Sequence, residues 1–166
     1  MEIKPVSSRM YGFMVLYDMH TKYYHNVLES INDDDAKQRL DTKANHINWL
    51  AGSLLQERFE LANLLGVDLK SGADELFKHH QGIKDDANYP TLSTYQDQWN
   101  AISPILREKL LNVTEEELDK MIDFPVEQMS FPLFEMISFN TYREANCIGQ
   151  IALWRRLLGY PGMKYM

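Results

Sequence analysis

Five histidines and one cysteine are the side chains of this sequence best suited to metal or acid–base chemistry: His20, His25, His46, His79, His80 and Cys147. A metal held inside a helical bundle needs ligands on facing helices, spaced so that they share one inward face. His46 falls one turn before Leu50 on an apolar helical stripe, which makes it a candidate ligand or acid–base group. The same position suits a core-edge histidine hydrogen-bonded to a neighbour. His20 precedes Tyr24 by one turn and is placed to line the interior, whereas His25 is offset and is expected to face water. His79 and His80 are adjacent, so they cannot both serve one helical site, and their polar surroundings read as a solvated loop.

The most informative segment is Tyr142-Arg143-Glu144-Ala145-Asn146-Cys147-Ile148-Gly149-Gln150-Ile151. Arg143 and Cys147 lie one helical turn apart, and Gln150 and Trp154 continue that face. Polar groups on an inward stripe must be satisfied by one another, by water or by a ligand. Near Arg143 the Cys147 thiol would have a lowered pKa and some reactivity, although a free cysteine is more often a small inert hydrophobe. Gly149 in mid-helix costs about 1 kcal/mol, which implies close helix packing at that point. Glu57 and Glu60, three residues apart, read as a solvated face. No Gly-rich phosphate loop, His-Glu-x-x-His, Gly-x-Ser-x-Gly or Glu-x-x-His motif occurs, and the methionines sit at helical spacing as gap-fillers.

These groups must be positioned by one domain's worth of chain, 166 residues. Lys and Arg number 17 against 24 Asp and Glu, a net charge of −7, which is a poor match for nucleic acid or an anionic membrane. A 45% hydrophobic and 25% charged composition is that of a folded chain. The first residues lack the pattern of a secretory signal, and no run approaches eighteen apolar residues, so no membrane span is expected. One cysteine fits a reducing compartment, and the expected location is cytoplasmic.

Four long helical patterns account for most of the length. The first starts near Ser7 or Ser8 and carries Met10, Phe13, Met14, Tyr17, Tyr24, Leu28 and Ile31 on one stripe. The acidic run Asp33-Asp34-Asp35 reads as the start of a second, running to about Leu65 and ended by Gly66. Residues 67–90 are irregular, with a short helix around Asp74 to His79. A third runs from Leu92 past Pro104 to Val113, with a kink expected at the proline. Thr114 and Glu117 form a capping box for a short helix, and Phe124, Pro125 and Pro132 mark a loop before a last helix over Leu133–Leu158. Arg155 and Arg156 suit the negative end of that helix, and Gly159 closes it. No alternating strand is read anywhere, so the expected class is an all-α four-helix bundle with a long connection between helices 2 and 3.

Asn45-His46-Ile47-Asn48-Trp49-Leu50-Ala51-Gly52, together with Gly149-Gln150-Ile151 and Arg156-Leu157-Leu158-Gly159, resembles the DinB/YfiT-like superfamily, in order and spacing over nearly the whole chain. The resemblance implies a four-helix bundle of up-down-down-up topology, commonly a homodimer, in which many members hold a divalent metal with three histidines. It places His46 at the helix-2 ligand position and Arg143 and Cys147 at the two ligand positions of the last helix. Cysteine still binds zinc, but arginine has no acceptor and brings a positive charge where the cation would sit. The expectation is therefore a degenerate pocket of His46, Arg143, Cys147 and Gln150 without a metal, open to a small anionic ligand or closed by an internal carboxylate. The alternative is a zinc- or nickel-dependent thiol transferase or isomerase, with His46, Cys147 and His20 as ligands. A ligand-free dimeric interaction module is the third reading.

Overall fold

The computed structural model describes residues 3–124 and 129–165, which carry six helices and one two-stranded antiparallel sheet. The helices are α1 (Tyr11–Leu28), α2 (Ile47–Leu64), α3 (Asp74–Phe77), α4 (Leu92–Asn112), α5 (Glu115–Asp119) and α6 (Leu133–Leu157). The strands β1 (Met121–Phe124) and β2 (Met129–Pro132) lie between α5 and α6. Among the described residues no helix is long and apolar enough to cross a membrane. Four long helices pack around one core: α1 against α6 and α4, and α2 against α4 and α6. Fifteen of the eighteen residues of α2 are buried, so it is enclosed on nearly every side and its charged residues need partners.

Local chemistry explains the element ends. Ser7 accepts the Arg9 N–H and caps a 3-10 turn, Ser8–Met10, that leads into α1. Gly66, at φ +80°, closes α2 in a Schellman motif, with Val67 N–H donating to Ala62 O and Gly66 N–H to Asn63 O. Gly159, at φ +88°, repeats it at the end of α6, where Tyr160 N–H reaches Arg155 O. The Thr114–Glu117 capping box holds α5 as expected. The buried Arg155 reaches beyond its own helix: its guanidinium donates to Val27 O at 2.6 Å, Glu29 O at 3.2 Å and Pro161 O at 2.7 Å. It thereby satisfies carbonyls left open at the end of α1.

Three expectations are corrected. The second helix does not begin at the aspartate run: Asp35–Lys37 is one 3-10 turn, and α2 starts only at Ile47. Leu40 and Asp41 have φ of 45° and 57°, and Arg39 donates to Lys43 O and Ala44 O, which fixes a turn instead. The chain is not purely helical, because Met121–Phe124 and Met129–Pro132 pair in register, Ile122 opposite Phe131. Pro125, named as part of a loop, lies outside the described residues. Gly149 marks no close packing, since a Cβ there would meet nothing within 4 Å. The close approach is at Gly52, where a Cβ would run into the Phe77 ring and come within 2.7 Å of Tyr95 Cζ.

Candidate functional site

Two Arg–Glu pairs link α2 to α6, drawn from adjacent residues on each helix. Arg58 of α2 is fully buried and faces Glu144 of α6 side-on, with Nε at 2.6 Å from Oε1 and Nη2 at 3.1 Å from Oε2. The rest of its fork is filled, because Nη1 donates to Ser103 Oγ at 2.7 Å and Thr21 Oγ1 at 2.9 Å. Its guanidinium carbon lies 3.5 Å from the Trp99 ring centre and 4.2 Å from that of Tyr17. His20 adds a third group, with Nδ1 at 3.2 Å from Glu144 Oε2. Burial alone would push the Glu144 carboxyl up, but the Arg58 charge and the His20 and Arg58 hydrogen bonds outweigh it and hold the pKa below the usual range.

The second pair reverses the polarity, with Arg143 of α6 against Glu57 of α2. Arg143 also donates from Nη2 to Ser53 Oγ at 2.7 Å. This pair borders a cavity of about 130 Å³ between α2, α6 and the turn that follows α3. Trp49, Ser53, Gln56 and Glu60, spaced four, three and four apart, form the α2 wall; Phe77, His80, Gln81 and Gly82 form the opposite side. Burial raises the Glu57 carboxyl to about 7, the nearby Arg143 charge offsetting it only in part. Three wall residues hold buried polar atoms outside any regular hydrogen bond among the described residues: Arg143 Nε, which is ion-paired with Glu57, and Trp49 Nε1 and Gln56 Oε1, which have neither kind of partner. Trp49 is 8% exposed and Gln56 4%, so solvent hardly reaches either side chain. Asn48 Oδ1 and Tyr95 Oη are also unpartnered, but their residues do not border the cavity.

Of the four residues read as a pocket, only Arg143 lines this cavity. His46 is not inside α2 but caps it, its Nδ1 accepting the Trp49 N–H at 2.9 Å and its ring lying edge-on to Tyr89. Burial lowers its pKa, which keeps the accepting imidazole neutral. Cys147 is buried against the core, and burial pushes its thiol up to about 11, so the activation expected from Arg143 is not realised. Gln150 is exposed and donates to Asn146 Oδ1 at 2.6 Å. His25 is half-buried and bonds Asn100, and His79 and His80 are exposed at φ 58° and 53°. Glu57 and Glu60, read as a solvated face, belong to the cavity instead. The carboxylate facing Arg143 is thus Glu57, and Arg58 was not singled out at all. The signal for both was present in the reciprocal dipeptides Glu57-Arg58 and Arg143-Glu144 on two helices that must pack.

Zinc or nickel would need His46, His20 and Cys147 to converge with free donors. His46 Nδ1 is spent on the helix cap, which leaves the ring proton on Nε2, and the Cys147 thiol is held protonated. Among the described residues no group of three or more His, Cys, Asp and Glu side chains is arranged to hold a metal ion. This donor set does not fit the group, and no chemistry is routed through it. Comparison with known families and proteins gives no further guide: no family model matches the chain, and no curated protein matches it either.

Proposed function

We propose that this chain is a DinB-like four-helix bundle in up-down-down-up order whose cavity between α2 and α6 binds a small polar molecule without a metal. The observation that carries the binding reading is the cavity of about 130 Å³ itself, where Ser53, Gln56, Glu57, Glu60 and Arg143 meet the rings of Trp49 and Phe77. A few polar groups set in a concave, partly aromatic wall are the kind of lining that holds and orients a small polar ligand. The bundle order is supported by the packing of α1 on α6 and α4 and of α2 on α4 and α6, with residues 65–91 long enough to run back along the bundle. A homodimer completes the reading on the resemblance alone, and a cytoplasmic location on the single cysteine; sedimentation that finds a monomer at tens of micromolar removes the dimer.

Thermal-shift screening of a polar metabolite library tests the binding. A Gly82→Trp variant is the control, since Gly82 borders the cavity and a Cβ there meets nothing within 4 Å, so the new ring is designed to crowd the cavity edge. Ligands that stabilise the parent and lose their effect in this variant support the proposal. A library in which every stabilising compound acts equally on both proteins overturns it.

A further inference from the structure

The outer face of α6 is apolar where a solvent-facing helix is ordinarily charged. Phe139, Tyr142, Leu153 and Leu157 are each more than half exposed. With Asn146 and Gln150 between them, they follow one another at steps of three and four residues, a single row along the helix. Scattered apolar side chains on a surface need no explanation, but a continuous row marks an interaction surface. Its polar members are prepared for cover. Gln150 Nε2 donates to Asn146 Oδ1 at 2.6 Å and Asn146 Nδ2 to Tyr142 Oη at 3.4 Å, so the row already supplies part of their hydrogen bonding.

Charge indicates what covers it. Among the described residues the exposed positions of α6 carry only two charges, Glu135 in the first turn and Arg156 in the last. Glu135 lies ten residues before Ala145 and Arg156 ten after Asn146, so a two-fold axis crossing the helix between Ala145 and Asn146 exchanges the two positions. A second copy laid antiparallel about that axis brings its Arg156 level with Glu135 and its Glu135 level with Arg156, and sets the two helix dipoles in opposition. The uncharged members obey the same symmetry. Tyr142 comes level with Gly149 of the second copy, which has no side chain to block the ring, and Phe139 comes within one residue of Leu153. Two chains of net charge −7 repel over most of their surfaces, which favours contact along a row that is neutral between its ends. We infer that α6 is the two-fold contact of a homodimer, with the outer rows of two copies packed antiparallel and a Glu135–Arg156 ion pair at each end. This contact rests on the homodimer proposed above, although the residues that support it are those of α6 and not the family likeness.

Sedimentation at tens of micromolar tests it, with the fold of each variant checked by circular dichroism. The parent should be a dimer. Leu153→Glu alters an exposed side chain, so the monomer is expected to fold, but it sets a carboxylate against Phe139 of the second copy. The dimer Kd should then rise about a hundredfold or more, the scale of covering an unpaired charge. Glu135→Arg and Arg156→Glu should each weaken the dimer by roughly tenfold, because each places like charges together at both ends. Mixing these two variants should restore parent-like association. The positions are 21 residues apart, about 30 Å along one helix, so only a contact between copies can produce that rescue. A monomeric parent overturns both this contact and the homodimer. A dimer indifferent to Leu153→Glu, or a mixture no tighter than its separate components, overturns the α6 contact and leaves the homodimer standing on another face.

Discussion

Arg58–Glu144 and Arg143–Glu57 join the same two helices with the same two residue types, yet their surroundings separate them. The first is sealed in the core, with its fork and both carboxylate oxygens engaged and Trp99 and Tyr17 against the guanidinium. The second stands at a cavity, with Arg143 only partly covered and unpartnered atoms beside it. The carboxyl pKa values diverge accordingly: Glu144 is held below the usual range and Glu57 is raised to about 7. A completed network favours the charged carboxylate despite burial, while an incomplete one leaves desolvation dominant. The closed pair fastens the bundle, and the open one is available for recognition.

Removing the closed pair's cation should have the largest effect. Arg58→Met strands Glu144 inside the core and should cost about 3–5 kcal/mol in urea denaturation. Adding Glu144→Leu should recover much of that loss, because a buried charge no longer lacks a partner. A single substitution costing under about 1 kcal/mol would mean that the closed pair does not hold the bundle together.

Next comes pH. Folding raises the Glu57 pKa from 4.5 to about 7, so the folded protein holds that proton more tightly than the unfolded chain does. Its contribution is most favourable below the ordinary carboxylate range and declines as pH rises to about 7, by about 1–3 kcal/mol. Glu144 acts with the opposite sign: its contribution is present above the ordinary range and is lost as pH falls through its lowered pKa. Stability measured from about pH 2 to 8 should therefore lose the Glu57 decline in Glu57→Gln and keep the acid-side loss. An unaltered profile would contradict the raised carboxyl.

Arg143→Met should cost about 1 kcal/mol at pH 8 and less at pH 5, since Glu57 can take up a proton once its partner is gone. A loss as large as that of Arg58→Met would erase the distinction between the pairs. The smallest expected change is a gain. In the dilute monomer, Gly149→Ala on the open side of α6 should stabilise by about 0.5–1 kcal/mol, because the new methyl meets nothing within 4 Å. Destabilisation there, read as a lower unfolding midpoint, would show that α6 is covered where the monomer leaves it open.

Much of the helical framework was legible because it rests on local signals: the spacing of Tyr17 and Tyr24, Gly66 and Gly159 after apolar runs, and the Thr114–Glu117 box. The start of α2 was not, since acidic residues favour a helix N-terminus but cannot reveal the positive φ at Leu40 and Asp41. Four-residue strands around Ile122 and Phe131 are too short for alternation to stand out beside prolines. The cavity was legible only at Arg143. Glu57 and Glu60 read as solvated because charged residues usually are, and nothing local says that α2 is enclosed on nearly every side. His46 failed in a different way: sequence placed it within the helix, whereas its imidazole begins it.

The reach of Arg155 has a bearing on the order of folding. Its contact with Val27 O spans 128 residues, and the carbonyls it takes belong to the end of the first helix. Such a loop closes at a high entropic cost and contributes little until both ends exist. On the ribosome, the end of the first helix therefore waits for nearly the whole sequence to emerge before it acquires this partner.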